Sequence, residues 1–122
     1  MSDPGFLGLV REHIRSVWSL ELLLLMRRTP TRAWTVDELV RELRASTVLV
    51  TDNLTHFERV GLIVPEEQGR YRFAPAGPLL AEFCDNLAEA YQTKPVALIN
   101  IIASKGALQT LADAFKFKGE DR

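Results

Sequence analysis

The sequence predicts a mainly α-helical domain that carries one small β-hairpin. Three observations lead there. Apolar residues recur at helical spacing through most of the chain. One stretch, Thr35–Pro75, changes period midway, from helical to alternating. Capping residues precede the helical runs, and glycine or proline follows them. With 122 residues, the chain suits a single domain, 1–122, with one sizeable core.

Asp3-Pro4 is a helix start, a capping acid followed by proline at the first helical position. Phe6, Leu7, Val10, Ile14 and Val17 keep helical spacing, and Ser16 and Ser19 are where this run divides. A second helix then covers Val17 to Arg28. It is apolar on most sides through Trp18, Leu20 and Leu22–Met26, as befits a helix central to the core or set in a subunit interface. Arg27–Arg32 is a basic loop ended by Pro30; it reads as a solvated helix end more readily than as a phosphate contact. Ala33-Trp34 is a short strand, and Trp34 is expected to pack on the start of the next helix.

Thr35 caps a helix running to about Leu43. Its hydroxyl faces orphan amides, and Glu38 three residues on can bond back, which makes a capping box. Val36, Leu39, Val40 and Leu43 give it one apolar face. Arg44-Ala45 leaves room only for a tight turn. Ser46 caps a second helix running to about Val60, with Val50, Leu54 and Phe57 as its buried stripe. Gly61 is the residue a left-handed helix end needs. Leu62–Val64 is a short apolar strand, Pro65–Gly69 a turn, and Arg70–Phe73 the alternating return strand. Beyond it, Gly77-Pro78 opens a long helix to about Thr93, striped by Leu79, Leu80, Phe83, Leu87 and Tyr91. Pro95 starts another, Val96–Ala103, and Ser104 caps a last one through Phe115.

Helix, turn, helix, then hairpin resembles the winged helix-turn-helix regulators of the MarR and ArsR types. Leu39–Ser46, the phrase LTHFERVGLIV at Leu54–Val64 and the GRYRF segment at Gly69–Phe73 carry the resemblance. It covers about 16–75 as the winged-helix core, with 77–117 as an added helical region. The resemblance implies a DNA-binding transcriptional regulator, and added helices that form a homodimer interface. It also implies that Ser46–Val60 enters the major groove while the wing touches backbone or minor groove. With Val50, Leu54 and Phe57 inward, the outward residues are Thr47, Val48, Thr51, Asp52, Thr55, His56 and Arg59. The threonines suit base edges or phosphates, and Val48 or Leu49 a thymine methyl. Asp52 is the exception: it can accept from cytosine N4 but repels phosphate. Arg70 and Arg72 fall on one strand face and, with Arg41 and Arg44, are the phosphate candidates.

Charge keeps a second reading open. Over Thr35–Val60, five acids stand against three arginines, a net −2, and the wing's Glu66 and Glu67 cancel Arg70 and Arg72. Duplex affinity depends on phosphate neutralisation, so this is a weak footprint. The alternative is a winged helix that binds a partner protein through Val48, Leu49 and the acids.

Other chemistry is thin. The net charge of −1 gives no overall pull toward nucleic acid or anionic membrane. A single cysteine excludes an internal disulfide and a Cys-rich zinc site. On an apolar helix face, Cys84 reads as an inert thiol rather than a redox sensor. His13 and His56 lack metal-site spacing, and no phosphate loop, nucleophile elbow or paired-carboxylate motif is visible, so neither an enzyme nor a cofactor is expected. The apolar run Leu20–Met26 contains Glu21 and is too short to be a signal or a membrane span, which leaves a cytoplasmic protein as the expectation.

Overall fold

The structure, a computed structural model, describes residues 4–103. Its elements are α1 (Pro4–His13), α2 (Val17–Arg28), β1 (Trp34–Thr35), α3 (Val36–Leu43), α4 (Thr47–Val60), β2 (Ile63–Glu66), β3 (Arg70–Phe73) and α5 (Pro78–Thr93). A further helix, α6, begins at 95 and runs to the last described residue. The helix expected from Ser104 onward lies outside the described residues.

The chain is mainly helical with one three-stranded antiparallel sheet, ordered β1-β3-β2. Within β2–β3, Ile63 stands opposite Phe73 and Glu66 opposite Arg70. β1 adds only two rungs, Trp34 to Tyr71 and Thr35 to Arg70. It sits one residue later than the expected Ala33-Trp34, because Thr35 both ends the strand and caps α3. The hairpin turn is also tighter than the expected Pro65–Gly69. β2 continues through Glu66, and a 3-10 turn at Glu67–Gly69 reverses the chain with Gln68 at φ 62° and Gly69 at φ 69°.

Local chemistry sets the helix boundaries. Ser16 Oγ accepts from the Ser19 amide at 3.1 Å, separating α2 from α1. Thr35 Oγ1 accepts from the Glu38 amide at 3.1 Å, and Glu38 accepts from the Thr35 amide at 2.9 Å, completing the capping box. Ser46 Oγ accepts from the Leu49 amide at 3.1 Å and starts α4. Gly61 ends it at φ 89°. The first and last residues of the wing are fastened together there: the Ala76 amide donates to the Gly61 carbonyl at 2.8 Å.

α2 is the centre of the core, with Leu20 and Leu22–Met26 buried against Leu39, Leu54, Phe57, Ile63 and Leu87. Trp18, expected among its apolar residues, is instead 45% exposed. Trp34 is buried, its indole donates to Thr29 Oγ1 at 3.0 Å, and Arg32 stacks on its outer face at 3.5 Å. The basic loop is largely engaged with its own chain. Arg27 pairs with Asp85 of α5 at 2.8 Å, and Arg32 lies 3.5 Å from Glu38. The Tyr91 hydroxyl donates to Glu21, a second tie between α5 and α2. Among the described residues no helix is long and apolar enough to cross a membrane.

Candidate nucleic-acid interface

The candidate interface comprises α3, a tight turn, α4 and the β2–β3 wing. Arg44 makes the turn by adopting the left-handed conformation, φ 54° and ψ 39°. A non-glycine residue there is uncommon, and its side chain is exposed at the head of α4. α4 buries Val50, Leu54 and Phe57 as its sequence spacing dictates. Thr47, Val48, Thr51, Asp52, Thr55 and Arg59 are all exposed, so six of the seven outward residues are where the spacing put them. Val48 is the most open apolar side chain on this helix, at 69%.

His56 is the correction. It is buried, not outward. The end of α1 lies beside α4 at His56, and α4 buries a second stripe, Asn53 and His56, next to the first. His56 Nε2 stands 3.2 Å from His13 Nδ1, which joins two residues whose sequence positions gave no reason to pair them. Arg15 approaches His56 Nδ1 at 3.3 Å and Arg59 approaches the same nitrogen at 3.1 Å. Guanidinium groups only donate, so Nδ1 accepts and the ring proton is on Nε2, from which it is given to His13. His56 is therefore neutral. Burial holds its pKa below the ordinary value, and the positive charge of Arg15, the His13 ring and Arg59 push it the same way, against the weaker opposite pull of Glu12.

The wing arginines are less free than their sequence positions imply. Arg72 bonds Glu66 on the neighbouring strand at 3.0 Å. Arg70 lies 3.8 Å from Glu38 of α3 and donates to the Ala33 carbonyl at 3.4 Å. The side chains of both arginines remain more than a third exposed. Exposed pairs of this kind contribute about 0–1 kcal/mol, little enough for a phosphate to displace the carboxylate. Glu38 is held ionised below its usual range, first by its bond to the Thr35 amide and then by its neighbours Arg32 and Arg70.

Cys84 is fully buried, and burial pushes its thiol up to about 12, which suits the inert reading. Among the described residues no cluster of three His, Cys, Asp or Glu side chains is placed to hold a metal. Sequence reasoning missed His13 and Arg15 as neighbours of α4; the only available signal was two basic residues either side of Ile14 at the end of a helical run. No protein-family model, curated protein or solved structure matches this chain.

Proposed function

We propose that the chain is a cytoplasmic, dimeric DNA-binding transcriptional regulator of the MarR or ArsR type. α4 reads the major groove through Thr47, Val48, Thr51, Asp52 and Thr55, and Arg44, Arg70 and Arg72 meet phosphates or the minor groove. The observation that carries this reading is the exposed face at the head of α4, placed directly after a tight turn and followed by a hairpin wing. The helices after the wing supply the dimer interface, which suits a protein that reads two half-sites.

The pairing of Arg70 and Arg72 with carboxylates, together with the open Val48, favours a second reading in which the same face binds a partner protein. Fluorescence anisotropy with a generic labelled duplex decides between them. Binding at low salt that weakens steeply with salt, with a shallower slope for Arg70→Ala plus Arg72→Ala, supports the regulator. Absence of binding at low salt turns the reading to the protein partner.

A further inference from the structure

Arg15 and Arg59 come from different elements, the α1–α2 link and α4, yet both reach one nitrogen of His56. Their terminal nitrogens lie within hydrogen-bond distance of that single atom, so two full positive charges are gathered around a neutral ring. No carboxylate among the described residues lies within 4.0 Å of either guanidinium. Two donors sharing one lone pair leave most of their N–H groups pointing to solvent. His56 itself is about nine-tenths buried, which fixes the point on which the arginines converge. α2 begins just after Arg15, adding the positive end of a helix dipole to the same place. Among the described residues, Glu12 is the acid whose charge bears on His56.

From this geometry we infer that Arg15 and Arg59, drawn together by the acceptor nitrogen of His56, form a seat for a single oxyanion of the phosphate class. The anion accepts from both guanidiniums and relieves their mutual repulsion. Such charge-assisted, fork-shaped contacts are the strong ones for phosphate.

The identity of that oxyanion as a backbone phosphate of duplex DNA rests on the function proposed above. Helix length supports it. α4 has 14 residues and is therefore about 21 Å long, whereas the major groove is about 12 Å wide. If Thr47 and Thr51 meet base edges, the helix end carrying Arg59 stands over the phosphate wall, and Arg15 stands there with it. A free phosphate ion would use the same seat without any duplex.

The test compares wild type with Arg15→Gln, Arg59→Gln and the double variant, each checked for fold by circular dichroism. Two measurements are made: anisotropy with a generic labelled duplex across a salt series, and melting temperature in sodium phosphate against sodium chloride at matched ionic strength. Loss of the seat should weaken duplex binding about tenfold at low salt and reduce the log–log salt slope by about 1. It should also abolish the extra melting temperature that phosphate gives the wild type. A phosphate effect lost in the double variant, with no duplex bound by the wild type or with an unchanged slope, supports the seat as a free-anion site and removes the duplex from it. A double variant that matches wild type in both measurements overturns the seat. If the double variant fails to fold, a phosphate titration of wild type followed at the His56 ring nitrogens replaces it; an unmoved Nδ1 signal overturns the proposal.

Discussion

His13 and His56 lie 43 residues apart and share one hydrogen bond of 3.2 Å between their rings. The approach of Arg15 and Arg59 to the other ring nitrogen of His56 depends on that ring being neutral, since protonation of Nδ1 would remove their acceptor and set a third positive charge between them. An unfolded chain has no such constraint, and its histidine titrates near 6.5. The folded value is lower. Stability is therefore fully present above about pH 6.5 and falls as pH drops from there through the folded-state value. Urea denaturation at pH 7.5 and 5.5 should show a smaller midpoint difference for His56→Gln than for wild type. Equal differences would remove His56 from the acid response.

The capping box makes Thr35 the hinge between β1 and α3. Thr35→Ala removes the acceptor for the Glu38 amide and should cost about 1 kcal/mol, read from denaturant midpoints. Thr35→Ser keeps the acceptor and should recover most of it.

Two left-handed residues, Arg44 and Gly61, end α3 and α4, and their substitutions should act with opposite sign. At Gly61 a Cβ would meet the Ala76 Cβ at 3.0 Å, on a backbone at φ 89°. Gly61→Ala should therefore lose at least the usual left-handed penalty of about 1–2 kcal/mol. Arg44 already bears that strain at φ 54°, and Arg44→Gly should relieve part of it, raising stability by up to about 1 kcal/mol. The same variant should weaken duplex binding if the regulator reading holds, which separates charge from folding.

Ser19 is fully buried in α2, and its hydroxyl has no hydrogen-bond partner among the described residues. Ser19→Ala keeps the amide that Ser16 caps, removes the unsatisfied group and improves helix propensity. It should stabilise the chain by about 1 kcal/mol, and a lower denaturation midpoint would point to a partner for that hydroxyl.

Cys84 should resist a thiol reagent such as Ellman's reagent in the native chain at pH 8 and react at once in urea, because its raised pKa leaves almost no thiolate. Fast native labelling would reopen the redox role.

Features that depend on a few neighbouring residues are legible in the sequence. Thr35 with Glu38, Ser46, Gly61 and the Val50–Leu54–Phe57 stripe are of this kind, because a cap or a helical face is decided within one or two turns. The position of His56 was not, since it depends on how the end of α1 lies against α4. The partners of Arg70 and Arg72 were hidden for a related reason: they follow from strand register and from the approach of Glu38 across β1. In the candidate interface the exposed threonines could be read from spacing, while the electrostatics could not.

The bond from the Ala76 amide to the Gly61 carbonyl closes the wing at its base, so the last turn of α4 and the first turn of α5 meet at one joint. Leu80 also reaches this joint, its Cδ1 3.6 Å from where a Gly61 Cβ would be. This joint links the end of α4 to the start of α5 by a path that does not pass through the hairpin. In an assembly held together by the later helices, the spacing of two reading heads would be set by the tilt of α5, and a small angular change there would alter which half-site separations the pair can span.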